Sequence, residues 1–120
     1  MKDFDLSRFA EELEKFASER EWERFHTPKN VAMALAVESS ELLEIFQWLT
    51  PAESQNLDSE QYARVAEEIG DVANYLIRLC DLLNLDLLDC ARRKIEINRA
   101  KYPVAKVRGS AKKYSDYSSE

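Results

Sequence analysis

The stretch VESSELLEIFQW, residues 37–48, has the spacing of a helix but carries acidic side chains on its apolar side. When residues are placed about 100° apart, as in an α-helix, the apolar side chains that share one face are Val31, Ala34, Leu35, Leu42, Ile45 and Leu49. Glu38 falls in the middle of this stripe, and Glu41 falls on its edge one turn later. Because an amphipathic helix normally keeps its charged residues on the opposite face, this acidic pair calls for an explanation.

The stretch VAEEIGDVANYLIRLCDLL, residues 65–83, repeats the arrangement. Glu68 lies among its apolar side chains, and Asp71 lies on the edge of the stripe one turn later. Glu67, the neighbour in sequence, falls outside the stripe and is expected to be solvated. Two acidic pairs of the same spacing, each within an apolar stripe, are much harder to ascribe to chance than one.

The two acidic pairs are expected to meet in the folded chain. A polar segment, TPAESQNLDSEQ, separates the two helices, so they should pack as an antiparallel hairpin. Residues equally far from the middle of that segment then lie at the same height, which places Glu41 opposite Glu68 and Glu38 opposite Asp71. The sequence therefore predicts four carboxylates at one level between two helices.

Four carboxylates in one site need compensation, because like charges and burial both disfavour their ionised forms. Oxygen ligands without cysteine or histidine suit Mg²⁺ and, as an alternative, Mn²⁺. A di-iron site would need Glu-x-x-His pairs, and the single histidine, His26, lies in a connector instead. Ion pairs with Arg78 or Lys94 are the structural alternative, and they would make the chain a non-catalytic helical interaction module.

The composition indicates one all-α domain. The chain has 120 residues with two glycines and three prolines, and residues that favour helices are abundant. The apolar spacing predicts an antiparallel four-helix bundle that self-associates, with helices near residues 5–20, 28–49, 59–83 and 85–102. This helical domain is expected over residues 1–103, followed by a basic and then serine-rich tail over residues 104–120.

The charge and the cysteines exclude several classes of protein. A net charge of −6 argues against a nucleic-acid partner, since binding to the phosphate backbone needs a basic surface. No segment is long and apolar enough for a membrane span. The two cysteines show no metal-binding or redox spacing, so we expect reduced thiols and a cytoplasmic location.

Further polar and aromatic residues have two interpretations each. On the last helix, Asn98 shares the apolar side and Lys94 flanks it, either as structural groups or as ligands of phosphate oxygens beside a metal. Arg108 and Lys112 in the tail are either solvated or add positive charge to such a site. The aromatic residues expected to complete the core are Trp22, Phe25, Trp48 and Tyr75. The two tryptophans could instead stack on a base.

Together these motifs resemble the MazG-like all-α nucleoside triphosphate pyrophosphohydrolases. The resemblance rests on the acidic pairs in ESSE and EEIGDV, the helix KIEINRAKYP and the basic segment RGSAKKY, and it covers nearly the whole chain. It implies a Mg²⁺-dependent enzyme that cleaves between the α- and β-phosphates and releases a nucleoside monophosphate and pyrophosphate. The implied substrate is dCTP or a modified dCTP, with another dNTP as the alternative, and the implied assembly is a homodimer or homotetramer.

The resemblance also implies roles for individual residues. Glu41 and Glu38 are the expected catalytic carboxylates, with Glu41 expected to activate the attacking water. The implied metal ligands are Glu38, Glu41, Glu68 and Asp71. The implied phosphate-binding residues are Lys94, Asn98 and Tyr102, and the basic tail residues Arg108 and Lys112 are expected to add to substrate binding. The implied base-binding residues are Trp22, His26, Trp48 and Tyr75.

Overall fold

A computed structural model describes residues 5–111, and over this range the secondary structure is helical without any strand. The chain divides into two compact units, one ending at Leu85 and the other beginning at Asp86. The all-α class is therefore confirmed. The bundle arrangement and the domain boundary after residue 103 stay predictions. Among the described helices, none has the length and apolar character that a membrane crossing requires.

Helix α1, Leu6–Glu19, begins where the Asp5 carboxylate accepts a hydrogen bond from the Arg8 backbone N–H, at 2.9 Å. Such an N-cap satisfies one of the donors that the first turn of a helix leaves unpaired. The helix buries Ala17 and packs against α4, Ser59–Leu82. Its bounds confirm the predicted first helix.

Helix α2, Pro28–Phe46, starts as predicted, with the Thr27 hydroxyl accepting from the Asn30 N–H and proline in the first turn. It ends at Phe46, so the predicted extension to Leu49 is wrong. The reason lies just beyond, where Thr50 has the extended backbone of an N-cap before a proline. The chain must leave helical geometry before that point, and residues 47–49 form a turn.

The segment predicted as a polar loop contains a short helix, α3, Pro51–Ser54. Its capping box pairs the Thr50 hydroxyl with the Glu53 N–H and the Glu53 carboxylate with the Thr50 N–H. This local pairing stabilises one helical turn without an apolar face, so the prediction of a loop is wrong for residues 51–54.

Helix α4, Ser59–Leu82, carries a second capping box between Asp58 and Gln61 and follows the predicted bounds closely. It packs along α2, and this pair makes most of the first unit. Val31 and Ile45 of α2 are buried, as are Arg78 and Cys80 of α4. The two acid-bearing stripes therefore belong to helices in direct contact.

The second unit contains helix α5, Leu87–Lys101, and the short helix α6, Val104–Val107. The Asp86 carboxylate caps α5 by accepting from the Asp89 N–H at 2.8 Å. The helix therefore begins two residues later than the predicted start at Leu85, because Asp86 takes the N-cap position. Part of the predicted tail is helical, and residues 112–120 of it lie outside the described range.

Candidate active site

Three of the four predicted carboxylates come together where α2 and α4 pack. Glu38 and Glu41 of α2 and Glu68 of α4 each offer an oxygen, and these oxygens all lie within 4.8 Å of one another. Asp71 is exposed and lies outside this compact set. It is still close enough for its charge to act on both Glu38 and Glu68.

Two oxygens of this cluster are buried without a partner. Glu38 Oε2 and Glu68 Oε2 are shielded from solvent and accept no hydrogen bond within the described part of the chain. Burial of an unpaired carboxylate oxygen is unfavourable unless a proton or a cation compensates it. The donor set, hard oxygens without nitrogen or sulfur, fits a cation such as Mg²⁺ or Mn²⁺.

Proton binding in this cluster follows the same physics. Burial raises the pKa of Glu38 from 4.5 to about 7, and the neighbouring Glu41 and Asp71 add to the shift. Burial also raises the pKa of Glu68, together with the charges of Glu41 and Asp71. Without a cation, the cluster therefore holds a proton at pH values where isolated glutamates are ionised.

The proposed structural alternative, an ion pair between these acids and Arg78, does not form. The guanidinium of Arg78 instead bonds to His26, with Nε donating to Nδ1 at 3.2 Å. Its Nη1 reaches Asp81 Oδ2 at 3.5 Å, one turn along the same helix. Lys94, the other alternative partner, lies in the second unit.

An open cavity of about 280 Å³ lies one helical turn from the acids. Its lining residues are Trp22, Phe25, His26, Asn30, Val31, Ala34 and Tyr75. Ala34 precedes Glu38 by one turn on α2, and Tyr75 follows Asp71 by one turn on α4. Each of these separations is four residues, a rise of about 6 Å along the helix, so a ligand in the cavity can extend to the carboxylates.

The connector between α1 and α2 forms one wall of this cavity. Glu21 has a left-handed backbone, φ 55°, and the 3-10 turn Glu23–Phe25 follows it. These bends bring the indole of Trp22 to 6.4 Å from the His26 ring, centroid to centroid. The amide of Asn30 fixes the turn by donating to the Phe25 carbonyl at 3.1 Å.

Of the predicted base-binding residues, Trp22, His26 and Tyr75 line the one cavity. Trp48 does not line it and is 87% exposed, because it follows the end of α2 in a turn. Its assignment to the base site stays a prediction.

Sequence reasoning gave no site role to Asn30 or Phe25, which also line the cavity. The available signal was the run RFHTPKN, in which the Thr27 cap places Asn30 in the first turn of α2, next to the connector.

The predicted phosphate-binding residues belong to the second unit. Lys94 and Asn98 lie on α5, Tyr102 follows its last turn, and Arg108 follows α6. Asn98 and Tyr102 are half-buried, and Lys94 and Arg108 are exposed. Lys112 lies outside the described residues. The roles of all five stay predictions.

The chain belongs to the MazG-like family, which residues 33–117 match. It is 43% identical over 104 residues to dCTP pyrophosphatase 1 of Rattus norvegicus and 40% identical over 104 residues to that of Homo sapiens. Each alignment covers 85% of this chain and 61% of the relative, so the chain spans about three fifths of their length. It also resembles the crystal structure of a pyrophosphatase from Archaeoglobus fulgidus, with a TM-score of 0.77, 38% identity, and coverage of 82% of this chain and 92% of that one.

Proposed function

We propose that the chain is a Mg²⁺-dependent nucleoside triphosphate pyrophosphohydrolase, which cleaves the bond between the α- and β-phosphates and releases a nucleoside monophosphate and pyrophosphate. The observation that carries the proposal is the carboxylate cluster, with two buried oxygens that lack partners. The aromatic cavity one turn away supports it, since a nucleotide needs a flat apolar site for its base and a cation for its phosphates. The named pyrophosphatase relatives support the same reaction.

The metal would be held by Glu38, Glu41 and Glu68, with Asp71 at the edge of the cluster, and Mn²⁺ could replace Mg²⁺. A divalent cation bound there neutralises the phosphate oxygens and makes phosphorus more electrophilic. The carboxylates themselves orient the attacking water and take its proton. Glu41 is the proposed base, with Glu38 as the other catalytic carboxylate.

The proposed substrate is dCTP or a modified dCTP. The relatives named dCTP pyrophosphatase 1 support this base, and a different dNTP is the alternative. Trp22, His26 and Tyr75 would hold the base, and Trp48 is proposed to join them. The residues proposed to bind the phosphates are Lys94, Asn98, Tyr102, Arg108 and Lys112.

We further propose that the protein is a homodimer or homotetramer, that it is cytoplasmic and that it binds no nucleic acid. Self-association is supported by the apolar side chains that the chain leaves exposed on several helices. The cytoplasm is supported by cysteine use, because Cys80 and Cys90 form no disulfide. The net charge of −6 disfavours binding to nucleic acid.

The test is direct incubation of the purified protein with Mg²⁺ and each common dNTP and NTP, together with 5-substituted dCTPs, followed by chromatography. Monophosphate plus pyrophosphate, with dCTP or a modified dCTP preferred, is the expected result. Diphosphate plus phosphate would mean that the wrong bond is cleaved and would contradict the proposal. If no nucleotide were hydrolysed, the result would favour the alternative, in which the carboxylate cluster has a structural role in an interaction module.

A further inference from the structure

Arg78 is the one charged side chain that is buried among the described residues, with 7% of its surface exposed. It connects helix α4 to the connector before α2, because its Nε donates to His26 Nδ1 at 3.2 Å. Asp81, on the next turn of α4, holds the other end of the guanidinium at 3.5 Å. A buried guanidinium that is held by two partners is a rigid donor, because the planar group has little freedom to rotate once both contacts are made.

This contact determines the chemical form of His26. A neutral imidazole has one N–H donor and one acceptor nitrogen, and its tautomer follows from the bond that each nitrogen makes. Because Nδ1 accepts from Arg78, the ring proton must lie on Nε2. Protonation of both nitrogens would set an N–H against an N–H, so the imidazolium is disfavoured. Burial and the guanidinium charge both lower the pKa of His26, in agreement with that geometry.

The imidazole is also a wall of the aromatic cavity, together with Trp22 and Tyr75. Indole and phenol rings contact a flat ligand through their faces, and such contacts discriminate poorly between one base and another. The amide nitrogen of Asn30 is engaged with the Phe25 carbonyl at 3.1 Å. The imidazole is therefore well suited to add polar selectivity to this wall.

We propose that Arg78 is a positioning residue for base selection, which fixes His26 as the Nε2–H tautomer so that the ring donates to an acceptor atom on the edge of the nucleotide base. The acceptor is a carbonyl oxygen or an unprotonated ring nitrogen, and a base that presents an N–H there is rejected because two donors would face each other. Arg78 acts through His26 and needs no contact with the base. This inference rests on the proposed function for its ligand.

The first test is spectroscopic and needs no nucleotide. The chain has a single histidine, so the NMR spectrum of tag-free protein with isotopically labelled histidine reports this one ring. We expect protonated Nε2 and unprotonated Nδ1 at neutral pH in the wild type. The variant Arg78→Met keeps a long apolar stem in the buried position, and we expect it to show exchanging tautomers and some imidazolium.

Two further variants control this experiment. Arg78→Lys keeps a cationic donor and should retain much of the Nε2–H form. Arg64→Met removes the same charge from an exposed position of the same helix, about 21 Å away along its axis, and should leave the spectrum unchanged. A wild-type ring protonated at Nδ1, or an Arg78→Met spectrum equal to that of the wild type, would overturn the inference. The wild-type spectrum decides the tautomer even where Arg78→Met does not fold.

The second test is kinetic and separates positioning from general stability. We expect Arg78→Met to raise KM for the preferred nucleotide about tenfold with kcat unchanged, as loss of one hydrogen bond made equally in the ground and transition states predicts. The variant His26→Gln supplies an amide donor that has no tautomers. In that background, Arg78→Met should have little further effect on KM.

Additive effects of the two substitutions would overturn the positioning role, because a purely structural arginine would act independently of the group at position 26. A wild-type protein that hydrolyses no nucleotide would overturn the proposed function and, with it, the selection of a base. The nucleotide-free spectrum would still show whether Arg78 controls the His26 tautomer, so the two failures can be told apart.

Discussion

Glu67 and Glu68 are neighbours in the chain, but their surroundings give them different chemistry. Glu67 is exposed on the outer side of α4, whereas Glu68 is half-buried with an oxygen that lacks a partner. Glu68 meets two further glutamates across the helix pair, and their repulsion is relieved by a proton or a cation. Because adjacent residues of a helix point in different directions, Glu67 is a solvated acid whereas Glu68 is a candidate metal ligand.

The substitution Glu68→Gln should uncouple stability from Mg²⁺. Without metal, the variant should melt at a higher temperature than the wild type, because one of three mutually repelling carboxylates is gone. Mg²⁺ should then no longer raise its melting temperature, and turnover should fall by about 100-fold or more. Thermal melting with EDTA and with Mg²⁺, together with the hydrolysis assay, measures all three effects.

Glu67→Gln is the matched control for this substitution, since it makes the same chemical change one residue earlier at an exposed position. It should keep the Mg²⁺-dependent rise in melting temperature and near-normal turnover. Equal behaviour of the two variants would show that the carboxylate cluster does not bind the metal.

The raised pKa of Glu38 predicts how metal-free stability depends on pH. The unfolded chain releases this proton near 4.5, whereas burial and neighbouring carboxylates hold it in the folded protein until about 7. The folded state thus binds more protons over this interval, and its free energy of unfolding decreases as pH rises from 4.5 to about 7. Melting temperatures in EDTA across this interval test the sign of the slope.

Mg²⁺ should reverse this trend, because the cation binds the ionised carboxylates and competes with the proton. The rise in melting temperature that Mg²⁺ produces should grow as pH increases through the Glu38 pKa of about 7. Glu38→Gln should flatten the slope seen in EDTA. A metal-free wild type that gains stability over the same interval would contradict the prediction.

At the scale of the helices, local sequence signals accounted for most boundaries. Asp5, Thr27 and Asp58 each accept a hydrogen bond from the first turn, and α1, α2 and α4 start within one residue of their predicted positions. The apolar period placed Glu38, Glu41 and Glu68 on facing sides, and they meet. Caps and periodicity are properties of neighbouring residues, which is why one sequence can show them.

Features that depend on the path of a connector could not be predicted from caps and periodicity. The cavity wall forms because the chain turns at Glu21 and again in the 3-10 turn, and no apolar period marks such bends. The bond between Arg78 and His26 joins residues 52 positions apart. The base-site role of Trp48 rests on the family resemblance, and the exposure of this side chain follows from the end of α2 at Phe46.

Gly70 lies inside α4 between the two acidic residues, where glycine costs about 1 kcal/mol relative to alanine. A Cβ added there would meet nothing within 4 Å among the described atoms. Gly70→Ala should therefore stabilise the protein, with a rise in melting temperature of about 4 °C. Calorimetry of the two proteins at equal concentration measures the change.

Gly109→Ala is a useful contrast, because Gly109 has φ 79°, a left-handed backbone that alanine adopts reluctantly. Gly109→Ala should destabilise the turn at residue 109, and it should not give the rise in melting temperature that we expect for Gly70→Ala. A lower melting temperature for Gly70→Ala would mean that another chain packs closely against α4 at this position, contrary to the prediction from the single chain.

At the scale of the whole molecule, the single chain leaves much apolar surface uncovered. Met33 and Val37, one turn apart on the side of α2 opposite the buried stripe, are 57% and 56% exposed. The buried apolar residues among those described are few: Ala17, Val31, Ile45 and Cys80. A chain of this length normally buries about two thirds of its surface around a larger core, so association offers a large additional gain in burial.

If that surface is covered by further copies of the chain, stability must depend on protein concentration, because folding and association are then coupled. The melting temperature should rise when the protein concentration is increased a hundredfold, because that increase favours the associated form by about 2.7 kcal/mol.

Val37→Glu should lower both the molar mass measured by light scattering and the melting temperature, since it places a charge in the apolar contact. Lys29→Glu, an exposed polar position of the same helix, should change neither. A melting temperature independent of concentration, with a monomeric mass, would instead mean that the exposed α2 face stays in contact with water, and that the proposed active site must be complete within one chain.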